Sequence, residues 1–396
     1  MELIVISEHR FERTPDGRIW SWYFGYEFWQ RYLRTFDEVV VLARARDETE
    51  KSPRGMRSDG DNVRFAVLPC YRGPFQYLAK RGEIKRIARS VLKENRAVLI
   101  RGGSVPNPLI ERCQKTGHPY AAEVIGDPRD MFAPGASEHR FRALWRWMGE
   151  RCLKKVCERA CGVSYVTEAA LQKRYPAGAG AVTAHYSSIE LPEAAIRDAP
   201  RTYDAAPRRF FALGMLDMPY KGFKVLLKAW ALLKRKGFAG ELTLGGDGKL
   251  RAGYERFAEE LGIGGSVHFA GLLSAGQGVR DAMDGSDLFI LPSFQEGLPR
   301  VLIEAMARGL PCVSTTVGGT PELLDASVRV LPGDEQALAQ KIEELSGDIP
   351  RLNEEARKNW ERAHLYLSDI LQARRLSFYR EIRAITQAWL EDRKQP

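Results

Sequence analysis

The stretch that decides the fold is residues 287–322, DLFILPSFQEGLPRVLIEAMARGLPCVSTTVGGTPE. Its apolar start predicts a buried parallel strand that is followed by a short loop. Pro299 stands where a helix would begin, and Gly309 and Pro311 stand where it would end. Unpaired backbone N–H groups at the start of this helix, with the positive end of its dipole, predict an anion-binding site there.

Two acidic residues flank the start of this helix. Glu296 lies in the loop before it, and Glu304 lies about one and a half turns into it. Carboxylates can bind sugars and ribose, because the two hydroxyls of a diol donate hydrogen bonds to the two carboxylate oxygens. We therefore expect one carboxylate to reach a sugar hydroxyl and the other a ribose. The alternative is an ordinary loop acid and a helix-surface acid.

Strands alternate with helices on both sides of this stretch. In the first half, helices are predicted at 78–95 and 138–160, and strands at 3–6, 38–44, 63–69, 97–103, 120–126 and 161–167. The segment 192–209, with three prolines and little periodicity, is typical of a linker. From Arg209 the alternation restarts, with strands at 209–214, 241–248, 267–273, 287–293 and 311–316 and helices at 221–237, 249–262, 275–285, 299–309 and 321–325.

This alternation predicts an α/β fold of two Rossmann-like, doubly wound parallel-sheet domains that face each other across a cleft. The expected domains are residues 1–200 and 201–370. Polar, Arg-rich helices are expected over about 350–390, and 371–396 should form a helix that packs back on the first domain.

The composition is that of a globular protein: 396 residues, 44% hydrophobic and 28% charged. No run approaches the roughly 20 apolar residues of a membrane span. The start, MELIVIS, resembles a buried first strand rather than a signal peptide. Six cysteines fit no zinc spacing, so we expect reduced thiols in a cytoplasmic protein.

The positive charge is concentrated in the first half of the chain. Residues 1–200 hold 33 basic and 25 acidic residues, against 27 and 26 in the rest, and the net charge is +9. The excess serves solubility or an anionic partner such as a nucleotide diphosphate, an acidic acceptor or a phospholipid surface. No nucleic-acid recognition motif is present. The helix 78–93 suits contact with an anionic membrane or simply forms a solvated face; its basic residues are Lys80, Arg81, Lys85, Arg86, Arg89 and Lys93.

The segment EGLPRVLIEAMARGLPCVSTTVGGTPEL closely resembles the E-x7-E region of glycosyltransferase family 4, the retaining nucleotide-sugar transferases of the GT-B fold. The resemblance covers roughly residues 209–325. It continues through FFALGMLDMPYKGFKVLLKAW, LGGDG, VHFAGLL and ILPS, in the family's order. This combination is specific, whereas LGGDG alone would be weak.

The resemblance implies roles for individual residues. Glu296 should contact the hydroxyls of the transferred sugar, Glu304 should bind the ribose, and Lys221 should hold the diphosphate. Backbone N–H groups near Gly297 and Leu298 should position sugar and phosphate. Small residues at strand ends should let the nucleotide approach, and the base should lie beside a pair of leucines; these residues are Gly214, Gly245, Gly246, Gly248, Leu272 and Leu273.

Two positions depart from the family pattern. Met215 stands where the family usually has an arginine that faces the diphosphate. Arg300 is a candidate for that charge; the alternative is a solvated arginine. In place of the usual mid-domain histidine, this chain has Gly126-Asp127-Pro128. We expect Asp127 to face the donor sugar or the acceptor hydroxyl, and the competing interpretation is a helix-capping or turn aspartate.

The acceptor side belongs to the first domain, where residues 7–33 are rich in aromatic side chains. Aromatic faces and arginines are a common platform for sugars. We expect acceptor contacts from Arg13, Trp20, Trp22 and Arg101. Phe28, Trp29 and Tyr32 are instead expected on the core face of a helix. His9 is a candidate general base, although such a histidine is more often structural.

The resemblance implies a retaining enzyme that moves a hexosyl unit from a nucleoside diphosphate sugar to a hydroxyl of a saccharide, lipid-linked or small-molecule acceptor. UDP is expected because the family commonly uses it. The mechanism implied by the resemblance needs no DxD-type metal motif, so neither a metal nor a cofactor is expected. The enzyme should be cytoplasmic, with peripheral membrane contact. The alternatives are an epimerase of the same fold and a non-catalytic binding subunit, which the loss of arginine at Met215 would suit.

Overall fold

Parallel strands form the framework of both halves of the chain. The computed structural model describes residues 1–51, 55–93 and 95–393. Within these residues, the first half contains nine strands: β1 Glu2–Arg13, β2 Ile19–Ser21, β3 Glu38–Asp47, β4 Met56–Arg57, β5 Val63–Pro69, β6 Arg96–Arg101, β7 Ala121–Val124, β8 Gly162–Tyr165 and β9 Val182–His185.

Seven of these strands are parallel, in the order β5-β3-β1-β6-β7-β8-β9. This order reverses at β1, as in doubly wound dinucleotide-binding sheets. Alternate residues of β1 point to opposite faces of the sheet and belong to two separate apolar clusters. The sheet is buried on both sides because apolar helix residues cover both faces. The covering helices are α1 Tyr26–Leu33, α2 Gly73–Val91, α3 Pro108–Thr116, α4 Pro128–Met131, α5 Arg142–Arg159 and α6 Ala170–Arg174.

The second half repeats the plan. Its strands are β10 Arg209–Leu213, β11 Glu241–Gly245, β12 Val267–Gly271, β13 Leu288–Leu291, β14 Cys312–Thr315 and β15 Arg329–Val330. They are parallel in the order β12-β11-β10-β13-β14-β15, which places the ends of β10 and β13 side by side. The helices are α7 Phe223–Arg235, α8 Arg251–Glu260, α9 Gln277–Asp284, α10 Arg300–Ala307, α11 Thr320–Leu323, α12 Glu335–Ser346, α13 Ile349–Ala363 and α14 Ser368–Asp392.

The last helix returns to the first sheet. Tyr379 on α14 donates a hydrogen bond of 2.7 Å to Glu123 on β7. A Cβ atom on Gly162 of β8 would collide with Ile382, which shows how closely α14 lies on this sheet.

Loops of the two domains contact each other directly. The Glu322 carboxylate, on α11, accepts the backbone N–H groups of Glu168, Ala169 and Ala170 at 2.6, 2.9 and 2.6 Å. Asp130 accepts the N–H of Gly318 at 3.1 Å. The second domain therefore has its strand-end loops held against the first.

Several strands differ from the sequence-based prediction. Strand β1 continues past the predicted 3–6 as far as Arg13, with a register shift between Ser7 and Arg10 that lets its far end pair with β2. Neither β9 nor the short strands β2, β4 and β15 are predicted from the sequence. In the part of the chain that the structure describes, no helix has the length and apolar composition of a membrane span.

Candidate active site

The end of β10 and the end of β13 bring a lysine and a glutamate together. Lys221 lies in the 3-10 turn Pro219–Lys221 before α7, and Glu296 lies in the loop after β13. Lys221 Nζ donates to Glu296 Oε1 at 2.7 Å, and Ser293 Oγ donates to the same oxygen at 2.7 Å. The two charged side chains are only 16% and 11% exposed. This leaves Oε2 of Glu296 without a hydrogen bond from any described residue.

Glycines let these loops approach one another. A Cβ atom on Gly246 would collide with the Gly214 carbonyl oxygen, and one on Gly318 would collide with the Glu296 carbonyl oxygen. Gly246 and Gly318 also have positive φ angles of 120° and 51°. The sequence-based expectation was that Gly214 and Gly246 leave space for a nucleotide. In the structure the missing Gly246 side chain instead makes room for the neighbouring backbone.

The start of α10 faces the cleft between the domains. No acceptor among the described residues takes the backbone N–H of Gly297 or of Leu298. A Cβ atom on Gly297 would collide with the carbonyl oxygen of Ile125 in the first domain. These N–H groups therefore lie where the two domains meet, together with the positive end of the helix dipole.

Glu304 lies on the cleft side of α10. Together with Arg300 and Arg280 it lines an interdomain cavity of about 630 Å³. Burial raises the pKa of Glu304, and the guanidinium groups of Arg300 and Arg280 partly oppose that shift. No described cation lies within ion-pairing distance of its carboxylate, so both oxygens are available to hydroxyl donors.

The opposite wall of this cavity comes from the first domain. It includes Tyr23, Phe24, Phe28, Arg31 and Arg101. Arg101 was predicted at this site. Tyr23, Phe24 and Arg31 were not singled out, and Phe28 was assigned to the core. Trp29 and Tyr32, one and four residues further along α1, are fully buried as expected.

Three residues expected to contact the acceptor do not line the cavity. Arg13 pairs with Asp47 at 2.6 Å, and Trp20 donates to the Thr14 hydroxyl at 3.2 Å. Trp22 is 40% exposed. The reason is the extension of β1: it continues into a hairpin with β2, which carries these side chains away from the cavity.

Asp127 is a structural residue in this fold, contrary to the expectation that it faces a substrate. Its side chain caps α4 by accepting the N–H of Arg129 at 2.8 Å. It also accepts the hydroxyl of Tyr175 and pairs with Arg174, and it is only 1% exposed. An Asp-Pro pair starts a helix as readily as it lines a cleft, which is why the sequence allowed both interpretations.

His9 lies at the edge of the cavity in a nest of aromatic rings. Its Nε2 is 3.0 Å from the Ser21 hydroxyl, and the rings of Phe11, Tyr23 and Phe24 meet it edge-on. Burial, reinforced by Arg10 and Arg44, lowers the pKa of His9 to about 4. The imidazole is therefore neutral at physiological pH.

The remaining sequence-predicted positions lie at strand ends of the second domain. Leu272 follows β12 and is 54% exposed, so its side chain is free to contact a base. Met215 follows β10 and is half-buried. Among the residues that the structure describes, no three His, Cys, Asp or Glu side chains are grouped closely enough to hold a metal ion.

Solved structures with the same architecture identify the fold. Sucrose-phosphate synthase from Thermosynechococcus elongatus superposes with a TM-score of 0.64 at 20% identity, over 97% of this chain and all of that one. HepE from Anabaena, solved in complex with UDP and glucose, gives a TM-score of 0.58 at 16% identity, over the full length of both chains. The chain has the GT-B fold.

Sequence comparisons also find glycosyltransferases among the relatives of this chain. Residues 207–348 match the model of the family described as glycosyl transferases group 1. Protein CapJ from Staphylococcus aureus is 25% identical over 344 residues, 86% of this chain and 85% of that protein. The amylovoran biosynthesis glycosyltransferase AmsK from Erwinia amylovora is 36% identical over 135 residues, 32% of this chain and 33% of that protein.

Proposed function

We propose that this chain is a retaining glycosyltransferase of family 4. It moves a hexosyl unit from a nucleoside diphosphate sugar, with UDP as the nucleotide, to an acceptor hydroxyl. The observation that carries this proposal is the Lys221–Glu296 pair beside the start of α10, with Glu304 on the same helix. The names of relatives such as AmsK support a role in the biosynthesis of a polysaccharide.

The donor lies across the carboxyl ends of β10 and β13. Glu304 accepts the ribose hydroxyls with the carboxylate oxygens that no described cation occupies. Lys221 and the N–H groups of Gly297 and Leu298 bind the diphosphate. Glu296, held by Lys221 and Ser293, accepts hydroxyls of the transferred sugar through its free oxygen.

Catalysis rests on stabilising charge that develops as the bond between the sugar and the phosphate breaks. Negative charge grows on the departing diphosphate, next to Lys221 and the positive end of α10. Arg300, at the first position of α10 on the cavity wall, adds a cation where Met215 adds none. These groups let the reaction proceed without a metal ion.

Configuration is retained because the acceptor attacks the face from which the phosphate leaves. The bond from the anomeric carbon to the phosphate oxygen breaks, and a bond from that carbon to the acceptor oxygen forms. The proton of the acceptor hydroxyl passes to the departing phosphate oxygen, so no protein base is needed. Contact between the domains excludes water from this step.

Nucleotide release is the direct test. The protein is incubated with a panel of UDP-sugars, with and without saccharide acceptors and with and without EDTA. We expect release that depends on an acceptor and persists in EDTA, and a product whose anomeric configuration by NMR matches that of the donor. An isomerised donor would indicate an epimerase, binding without reaction a non-catalytic subunit, and an inverted product would refute retention.

We also infer that the first domain contacts the cytoplasmic face of an anionic membrane. Arg81, Arg86 and Arg89 on α2 are exposed, and Phe75 at the start of that helix is 85% exposed. On α5, Trp147 is 59% exposed. Basic side chains beside exposed aromatic ones are typical of surfaces that bind anionic lipid, and they suit a lipid-linked acceptor.

A further inference from the structure

Three arginines are buried in the first domain where it faces the cleft. Arg31 on α1, Arg101 at the end of β6 and Arg375 on α14 line one small recess, with side chains that are 9%, 9% and 4% exposed. Arg31 and Arg101 also line the 630 Å³ interdomain cavity. A buried cation is costly unless an anion compensates it.

Among the described residues, the one buried carboxylate near these arginines cannot compensate all three charges. Glu123 is fully surrounded: Arg101 and the Tyr32 hydroxyl bind one oxygen at 2.8 and 3.0 Å. The hydroxyls of Tyr186 and Tyr379 bind the other at 2.9 and 2.7 Å. Each of its oxygens already accepts two hydrogen bonds, so no acceptor position remains for a further arginine.

Arg31 is left with a weak partner. Its Nη2 donates at 2.8 Å to Glu190, whose side chain is 75% exposed on the cavity rim. Ion pairs of that kind contribute little, because solvent screens them. Burial, together with the like charges of Arg375 and Arg101, lowers the pKa of the Arg31 guanidinium, so its positive charge is under-compensated.

The guanidinium groups also have unused donors. The Nε atoms of Arg31 and Arg101 are buried and have no hydrogen-bond partner among the described residues. Toward the described part of the chain, Arg101 donates through Nη1 alone and Arg31 through Nη2 alone. Donors that are desolvated and unpaired mark a site that is completed by something else.

Aromatic packing fixes the two cations in place. The Phe28 ring lies 4.0 Å from the Arg31 guanidinium carbon and 4.8 Å from that of Arg101, measured to the ring centroid. Cation–π contacts of this kind hold guanidinium planes without consuming their N–H donors. Phe24 and Tyr23 extend the same wall with faces on which a sugar ring can stack.

We propose that the acceptor is an anionic sugar, and that Arg31 and Arg101 bind its oxyanion, a carboxylate or a phosphate, on the first-domain wall of the cleft. This inference rests on the proposed function, which requires an acceptor in this cavity. The oxyanion supplies the negative charge that Glu123 cannot, and its oxygens match the paired donors of arginine. It also fixes the position of the acceptor before the two domains enclose the donor.

Binding of simple probes tests the proposal. Glucuronic acid, glucose 6-phosphate and neutral glucose are titrated into the full chain by calorimetry at low ionic strength. Arg31→Gln removes the positive charge and Arg31→Lys keeps it. Arg34→Gln is the matched control, because Arg34 lies three residues after Arg31 but its side chain is exposed. UDP is titrated into every variant as a readout of folding and of the donor site.

We expect at least one anionic probe to bind tenfold or more tightly than glucose. Arg31→Gln should weaken that binding at least tenfold, Arg31→Lys less, and Arg34→Gln not at all, with UDP affinity unchanged throughout. Which anionic probe binds more tightly tells a carboxylate from a phosphate.

Equal binding of glucose, no binding of either anionic probe, or an unaltered Arg31→Gln variant would overturn the proposal. A parallel loss of UDP binding would also overturn it, since the arginines would then serve the donor. Failure of the proposed function gives a different result from failure of this proposal. In that case the anionic probes still bind, but no UDP is released in response to an acceptor.

Discussion

Replacing Lys221 by methionine removes one charge from the candidate active site while keeping most of the side-chain volume. Its Nζ lies 2.7 Å from Glu296 Oε1. At an effective dielectric constant of about 20, two unit charges at that separation attract by about 6 kcal/mol before the cost of desolvation. We therefore expect the pair to contribute a net coupling of about 1–3 kcal/mol to the free energy of unfolding.

The catalytic effect should be larger than the effect on stability. If Lys221 faces the leaving diphosphate, its loss removes a preorganised cation from the transition state. That is expected to lower kcat by about 10²–10³-fold. Steady-state UDP release reports kcat, and urea unfolding reports the free energy of unfolding.

Two further variants separate catalysis from folding. Lys228→Met is the matched control on α7, since Lys228 is 44% exposed and lies 3.3 Å from Glu335; it should cost less than about 1 kcal/mol and leave kcat unchanged. The double variant Lys221→Met/Glu296→Gln should be more stable than the sum of its parts yet remain inactive. A Lys221→Met enzyme with more than a tenth of the normal kcat would refute the role assigned to this lysine.

Three other predictions address the donor site, the aromatic nest and the surface of the first domain. Glu304→Gln should weaken UDP binding by about 10–100-fold by calorimetry, since hydrogen bonds to a charged acceptor are lost, and an unchanged affinity would argue against ribose contact. In the folded chain the pKa of His9 is lowered to about 4 from its usual 6.5. As the pH falls, His9 is therefore protonated in the unfolded chain before it is protonated in the folded chain. Stability is then complete above about pH 6.5 and declines by up to about 3 kcal/mol towards pH 4; urea unfolding of His9→Gln should lack this part of the decline, and an unaltered pH profile would contradict it. The protein should co-sediment with liposomes that contain phosphatidylserine, and Trp147→Ala should weaken this binding. Equal binding to neutral liposomes would contradict a contact that depends on charge.

The framework of both sheets was predictable because buried parallel strands form continuous apolar runs. The residues of β13, Leu288–Leu291, are all buried and all apolar. The far end of β1 escaped prediction because it carries charged residues, and its pairing with β2 depends on a register shift that periodicity does not reveal. The consequence was the misplacement of Arg13 and Trp20.

The site was predictable in part. The resemblance to a known family implied roles for Lys221 and Glu296 separately, but their contact spans 75 residues and arises only from the adjacency of β10 and β13. The sequence indicates the position of Arg31 only weakly, through its spacing of one helical turn from Phe28, which places both residues on the same face of α1. Its burial depends on α14 and on the end of β6, which no local pattern reveals.

A crystal structure of the protein with UDP tests the central claim most directly. The account predicts that the ribose hydroxyls lie within hydrogen-bonding distance of Glu304 and that the diphosphate lies at the start of α10 beside Lys221. A nucleotide bound elsewhere, or bound in the cleft with Lys221 and Glu304 both out of contact with it, would contradict the account.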